Sequence, residues 1–328
     1  MTNPTRLRFF RSGVVAVAVA VVVGWRLIHL FNQKTDRQPG FTRLVANAKT
    51  PRVVSLLPQA TDILLSMGCG DHLVAVSNVE DAPNLKDLPR VGDYQMIDWE
   101  TISALAPQWI VTHYGPGRTP AGFVERAQSI GASQLNLQTE TLDGPDKAAT
   151  IYHAIEELGK ACNEPAKAAA AIAALREKLA AIRDRVAGQP PVPALIVVGP
   201  DGTSVAGKGT FLSELLELSG GVNLAAGLAS RYPNVDREQI MAMKPQVILQ
   251  LMPNATPRVI AQAKSFWSSY GDVPAVKNNR VVQLTDWYML LPGYHVGEIA
   301  GKFADAMHPG IEARSPNTRN PNQIPMTK

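Results

Sequence analysis

The chain has 328 residues, 45% of them hydrophobic and 18% charged, with a formal charge of +4 at neutral pH. That length supports two modest domains with real cores, and the composition is that of an ordinary globular protein. The charge is uneven: up to residue 50 there are eight basic side chains (Arg6, Arg8, Arg11, Arg26, Lys34, Arg37, Arg43, Lys49) against Asp36 alone, so this segment carries about +7 and the remainder about −3. A mildly acidic body excludes nucleic acid as the partner, which would need a concentrated basic face.

Arg6, Arg8 and Arg11 precede the apolar run 13–25, and Leu27, Ile28, Leu30 and Phe31 extend it beyond Arg26. The run is short for a membrane span, which takes about 20 apolar residues, and suits the core of an export signal. Residues 1–31 therefore read as a leader that is either cleaved on export or kept as a membrane anchor through residues 13–31. The distance of Ala46-Asn47-Ala48 from the apolar core favours the anchor. No cysteine follows the run, so lipoprotein anchoring is excluded. Residues 32–50 are polar and basic and read as a linker.

Residues 51–144 read as a first α/β lobe. Arg52–Leu57 is a buried strand, and Pro58-Gln59-Ala60-Thr61-Asp62 turns into a helix with Thr61 or Asp62 near its cap. A second strand spans Leu73–Ser77, a third Trp109–Thr112 and a fourth Gln134–Leu137. In open parallel sheets ligands collect beyond the carboxyl ends of the strands. Gln59, Tyr94, His113 and Tyr114 all belong to such ends or their loops, which makes them candidate ligand contacts.

Residues 145–190 read as connector helices. From Pro165 to Ala187 the apolar positions Ala168, Ile172, Leu175, Leu179, Ile182 and Val186 recur in steps of four and three, one stripe of a long helix. Asn163 and Glu164 offer its cap, Pro165 suits its first position, and Gly188 with Pro190-Pro191 ends it.

Residues 191–308 read as a second lobe, with strands at Ala194–Val198, Val247–Met252 and Val281–Leu284, a helix at Phe211–Leu218 and a closing helix at Val296–Met307. The segment Gly207-Lys208-Gly209-Thr210 is not a phosphate loop, because Gly209 separates the lysine from the hydroxyl residue that must follow it directly. Asp286-Trp287-Tyr288 forms an acidic-aromatic cluster at a strand end, the second-lobe counterpart of Tyr94 and His113. Residues 309–328 are polar, rich in Asn and Pro, and read as a disordered tail.

The two lobes share a pattern. Asp98-Trp-Glu100-Thr-Ile102-Ser-Ala104-Leu-Ala-Pro107-Gln108-Trp-Ile110 and Asp236-Arg-Glu238-Gln-Ile240-Met-Ala242-Met-Lys-Pro245-Gln246-Val-Ile248 carry Asp, Glu, Ile, Ala, Pro, Gln and Ile at one spacing. Internal self-similarity of this kind implies two similar α/β lobes joined by one helix. The two cysteines, Cys69 in a Gly-Cys-Gly turn and Cys162 at a helix end, leave both the free and the disulfide state open. No Cys-x-x-Cys or paired-histidine signature argues for a structural zinc.

The order of parts resembles the ABC-importer substrate-binding proteins of the cobalamin, haem and iron-siderophore class, closest to the cobalamin branch. The resemblance covers residues 51–308. It rests on Arg52-Val-Val-Ser-Leu-Leu-Pro-Gln-Ala-Thr-Asp, Val91-Gly-Asp-Tyr, the Asp-Trp-Glu-Thr-Ile-x-Ala-Leu-x-Pro repeat, Gly220-Gly-Val-Asn, Arg237-Glu-Gln-Ile and Leu284-Thr-Asp-Trp. It implies a helical-backbone (class III) periplasmic binding protein: two α/β lobes on a rigid helix, a ligand held between them, no catalysis and no resident cofactor. It also implies docking on an ABC permease/ATPase complex through one carboxylate per lobe, at Glu100 and Glu238.

Tyr94 and His113 align with positions that are aromatic in the cobalamin branch. Ser204 aligns with another such position and lacks the ring, and the Arg231-Tyr232-Pro233 loop lacks the family's tryptophan. The implied ligand set is Gln59, Tyr94, His113, Tyr114, Ser204, Tyr232, Asp286, Trp287 and Tyr288, around cobalamin, haem or a ferric siderophore. Aromatic walls suit a large planar macrocycle. His113 or Tyr288 is a candidate axial ligand to its iron or cobalt. The competing readings are an anchored enzyme built on His113 and Asp286, for which no nucleophile elbow is present, and an anchored sensor that has lost transport.

Overall fold

The computed structural model describes residues 50–311 apart from 83, 84, 94 and 116. The leader, nearly all of the expected linker, residues 312–328 of the tail and the candidate contact Tyr94 lie outside the described residues. The described residues belong to one compact unit that begins at Ala46.

Among the described residues, eight short strands form two parallel four-stranded sheets. In the first, β1 (Val53–Ser55), β2 (Leu73–Val76), β3 (Trp109–Thr112) and β4 (Ser133–Asn136) lie in the order β2-β1-β3-β4. In the second, β5 (Val192–Val198), β6 (Gly221–Asn223), β7 (Val247–Leu251) and β8 (Val281–Leu284) lie in the order β6-β5-β7-β8. The two orders are the same, so the sequence repeat is a repeat of topology. In chain order the helices are α1 (Pro58–Ser66), α2 (Trp99–Leu105), α3 (Phe123–Ser129), α4 (Ile151–Ala161), α5 (Pro165–Val186), α6 (Phe211–Leu218), α7 (Arg237–Met243), α8 (Pro257–Ser268), α9 (Pro274–Lys277) and α10 (Val296–Met307).

β1 is shorter than the apolar run suggests. Pro58 occupies the first position of α1, so the chain leaves the sheet at Leu57, which becomes the N-cap. Thr61 and Asp62, expected near that cap, lie a turn inside the helix. Thr61 Oγ1 donates to Ser55 Oγ at 2.9 Å, and Asp62 is buried.

The repeated element is built alike in both lobes. The Asp98 carboxylate caps α2 by accepting from the Thr101 amide at 3.0 Å, and the Asp236 carboxylate caps α7 by accepting from the Gln239 amide at 2.8 Å. Ala106 and Lys244 end the two helices in the left-handed region, at φ 44° and 49°. The Gln108 and Gln246 amides then bond to Arg52 and Pro193 at 2.9 Å each, which feeds the chain into β3 and β7. Ile102 and Ile240 anchor the helices inward, while Glu100 and Glu238 stand exposed in their first turns.

α5 runs for 22 residues, roughly 33 Å. The stripe read from the sequence is its buried face, with Ala171 added. Its N-terminal half packs on α4 and its later half on α10. The flank against α10 carries Lys178–Glu298 at 2.5 Å and Arg185–Asp305 at 2.8 Å. At its start the Glu164 side chain makes no capping bond and pairs with Lys167 at 3.0 Å instead.

Because both faces of each sheet are covered, alternate residues of one strand serve different cores. Val53 faces a core that α5 shares with both lobes, and Val54 faces a separate outer core of the first lobe. In the second lobe, Ala194 and Ile196 face the shared core and Leu195 and Val197 the outer one. One continuous apolar body therefore joins the lobes through α5. Truncating its central Leu175 to Ala would cost about 2–5 kcal/mol.

Candidate functional site

At the carboxyl edge of the first sheet, α1 places Gln59 half-buried, with its Nε2 donating to Thr139 Oγ1 at 3.4 Å. His113 follows the last residue of β3. Its Nδ1 lies 2.8 Å from the Leu137 carbonyl. A carbonyl only accepts, so Nδ1 carries the proton and the neutral ring presents its Nε2 lone pair; the tautomer is assigned from this bond. Burial holds His113 below the usual histidine range, against the opposing pull of the Leu137 bond. Its Nε2 lies 3.8 Å from Glu140 Oε1, beyond hydrogen-bonding distance.

Tyr114 is placed differently. Its amide donates to Asn136 Oδ1 at 2.7 Å, and its carbonyl accepts from Asn136 Nδ2 at 2.8 Å. Its ring is buried in the outer core, edge-on to Phe123 at 5.6 Å.

In the second lobe the segments 203–207 and 231–235 pair as a ribbon. Val205 N bonds Pro233 O at 3.0 Å, Val235 N bonds Thr203 O at 2.8 Å, and Gly207 N bonds Arg231 O at 2.7 Å. A Cβ on Gly207 would sit 2.8 Å from the Ser230 carbonyl, so the ribbon needs glycine there. Ser204 lies opposite Asn234 in this pairing, and its carbonyl accepts from Val198 N at 2.8 Å. The ribbon sets Arg231 and Tyr232 side by side. Tyr232 packs on the shared core, and burial pushes its phenol up to about 12. The Arg231 guanidinium forms an ion pair with Glu140 of the first lobe. Glu140 also joins the lobes through its carbonyl, which accepts from Phe211 N at 3.0 Å. Nearby, Glu214 Oε2 accepts from Leu142 N at 2.6 Å, and Asn254 Nδ2 donates to Asp81 Oδ2 at 2.9 Å.

After β8, Asp286 pairs with Lys302 of α10 at 3.0 Å. The dyad imagined for an enzyme therefore does not form: His113 faces Glu140, and Asp286 faces Lys302. The Tyr288 ring stacks on His295 at 4.6 Å, and Trp287 meets the same ring edge-on at 5.2 Å. Burial pushes the Tyr288 phenol up to about 12, assisted by the Asp286 charge. His295 Nδ1 bonds Asp62 Oδ1, while Asp62 Oδ2 accepts the amides of Tyr294 at 2.7 Å and His295 at 3.2 Å. Gly293 makes room for this carboxylate, since a Cβ there would collide with it. Burial works against charge on His295, but the bond to Asp62 and its negative charge outweigh burial and hold the ring above the usual histidine range.

Among the nine candidate contacts, the structure thus sets Gln59 and His113 on one lobe edge, Ser204 and Tyr232 on the ribbon opposite, and Trp287 and Tyr288 over His295. The residues that the sequence reading passed over are Asp62, Glu140, Arg231 as a charge, and His295. Glycine at 293 beside an aromatic pair was the only local signal for one of them. Among the described residues no group of three or more His, Cys, Asp or Glu could hold a metal ion, and no helix is long and apolar enough to cross a membrane. Glu100 and Glu238 are exposed at equivalent points of the two repeats.

Two parallel-sheet lobes of one topology on a long helix, with polar and aromatic side chains gathered at their strand ends, define a two-lobed solute-binding class. Residues 53–288 match the family model described as periplasmic binding protein, and the chain belongs to that family. It is 32% identical over 247 residues to a vitamin B12-binding protein of Vibrio parahaemolyticus, covering 74% of this chain and 84% of that one. Among solved structures it is similar to the periplasmic vitamin B12 binding protein BtuF of Vibrio cholerae, with a TM-score of 0.64 and 28% identity over 79% of this chain and 97% of that chain. It is also similar to the periplasmic haem-binding protein RhuT of Roseiflexus, with a TM-score of 0.62 and 25% identity over 79% and 99%.

Proposed function

We propose that the chain is the extracytoplasmic substrate-binding protein of an ABC importer. In this reading it holds cobalamin or a related metal macrocycle in the cleft between its lobes and delivers it to the permease. The observation that carries the reading is that the match to vitamin B12-binding proteins spans 74% of the chain, enough to include both lobes and the helix between them. Binding energy would come from burying the apolar faces of the ligand against rings such as Tyr232, Trp287 and Tyr288, with Gln59, His113 and Arg231 fixing its orientation.

A specific feature keeps haem as the second ligand of the same class. The neutral His113 ring directs its lone pair away from the Leu137 carbonyl, as an axial nitrogen ligand would. No chemistry on the ligand is part of this reading. The leader retained as an anchor would keep the protein at the membrane, where Glu100 and Glu238 would meet the permease.

Titration with cobalamin, haem and a ferric siderophore, followed by visible absorbance and tryptophan quenching, tests it. The expected result is saturable one-to-one binding of cobalamin. A Soret shift with haem that disappears in His113→Ala would move the assignment to haem. Absence of saturable binding to all three ligands would overturn the macrocycle reading.

A further inference from the structure

Two thiols stand outside everything described so far. Cys69 lies in the turn after α1, and Cys162 is the C-cap of α4. They are 0% and 1% exposed, lie in the shared core, and are both free thiols in this structure. The segments that carry them are joined: α1 packs on α4, and Lys167 in the first turn of α5 donates from Nζ to the Gly68 carbonyl at 3.2 Å. Lys167, Glu164 and Asp71 act on both sulfurs, and Cys69 is close enough to disfavour a thiolate at Cys162. One thiol thus belongs to the first lobe and the other to the corner where the chain enters α5, within electrostatic reach of each other.

We propose that Cys69 and Cys162 form a structural disulfide in the exported protein, fastening the first lobe to the N-terminal end of α5. Periplasmic proteins fold in an oxidising compartment. One thiolate attacks the disulfide of a thiol oxidase, giving a mixed disulfide. The second thiolate then attacks the chain's sulfur, and the oxidase leaves as a dithiol carrying both electrons and both protons. Burial, followed by the neighbouring Cys69, pushes the Cys162 thiol up to about 12, so the folded chain exchanges slowly. The bond is made while the chain folds and is sheltered afterwards. It closes a loop of about 90 residues, the length range in which a cross-link restrains the unfolded chain strongly.

The test recovers the full-length chain from cells in excess alkylating agent, unfolds it and measures its mass. The expected result is no alkylated cysteine before reduction and two after it. A tryptic digest should show peptide 53–86 joined to peptide 161–167, lighter than their sum by two hydrogens. The folded protein should lose roughly 5–10 °C of Tm on reduction, and Cys69→Ala/Cys162→Ala should remove that response. Protease accessibility in the same cells reads the location. An exported chain with two alkylated thiols, or with either cysteine joined to another molecule, overturns the bond alone. A chain retained in the cytoplasm overturns the location and the bond together.

Discussion

Asp62 and His295 lie 233 residues apart in the chain and form one ion pair across the lobes. The carboxylate is 1% exposed and sits within α1 of the first lobe. Its hydrogen-bond partners among the described residues come from the second lobe, at the entrance to α10: the ring of His295 and the amides of residues 294 and 295. Tyr288 stacks on the same ring and Trp287 meets it edge-on. A fixed distance between the lobes and the placement of two candidate ligand-binding aromatics therefore depend on one buried charge.

Asp62→Ala should be among the most destabilising single substitutions in the protein. It removes the acceptor from two backbone donors and a histidine in a dry site, a class of change that costs about 3–5 kcal/mol. Denaturant unfolding monitored by tryptophan fluorescence measures it. A loss below about 1 kcal/mol would show that water reaches these donors as soon as the carboxylate leaves.

The pair also gives stability a definite pH dependence. The folded-state pKa of His295 is raised above its ordinary value of 6.5. Its contribution is therefore fully present below that value and is lost as pH rises through the raised one. His295→Asn should cost more at about pH 6 than at about pH 9, with the gap closing between them. Unfolding free energies of the two proteins across that range decide the matter, and a gap that widens toward alkaline pH would refute this account.

The pair between Arg231 and Glu140 should behave in the opposite manner. Both side chains are partly open, at 50% and 31% exposure, so the pair adds at most about 1 kcal/mol to stability. Arg231→Ala should lower Tm by only about 2–4 °C. If the ligand binds between the lobes and accepts a hydrogen bond from the guanidinium, losing that charged bond should weaken binding roughly tenfold. Calorimetric titration of the variant tests this. An unchanged Kd would remove Arg231 from the ligand surface.

The parts of the fold legible in the sequence are those whose cause is local. The stripe from Ala168 to Val186 fixes α5 by its period, and the shared spacing from Asp98 to Ile110 and from Asp236 to Ile248 marks both repeated elements. The strand-end rule put His113 at the carboxyl edge of the first sheet, and there it follows the last residue of β3. The sequence reading is silent where contacts are distant, and it does not separate two neighbours that the fold places differently. His113 and Tyr114 are neighbours just past β3, yet the Tyr114 ring lies in the outer core while the His113 ring bonds the Leu137 carbonyl. Asp62 looked like a capping residue because nothing nearby announces a partner in the other lobe. Glu140 and Arg231 each look like solvated loop charges until the lobes are brought together.

Glu100 and Glu238 offer the sharpest separation of binding from delivery. Each lies in the first turn of a short helix, where the helix dipole alone favours an acid by about 0.3–1 kcal/mol, so their presence has a purely local explanation. Their equivalence is what points further, because the two repeats carry an exposed acid at the same place in the same element. In the import reading they meet basic groups on the permease, where rim charges act mainly on the association rate. Glu100→Lys and Glu238→Lys should each leave Tm and ligand Kd unchanged while slowing uptake roughly tenfold, and the double variant should abolish it. The measurement is uptake of labelled ligand in cells, beside binding to the purified permease at two salt concentrations. Full uptake by the double variant would end the docking assignment, while a parallel loss of ligand affinity would place these carboxylates at the ligand instead.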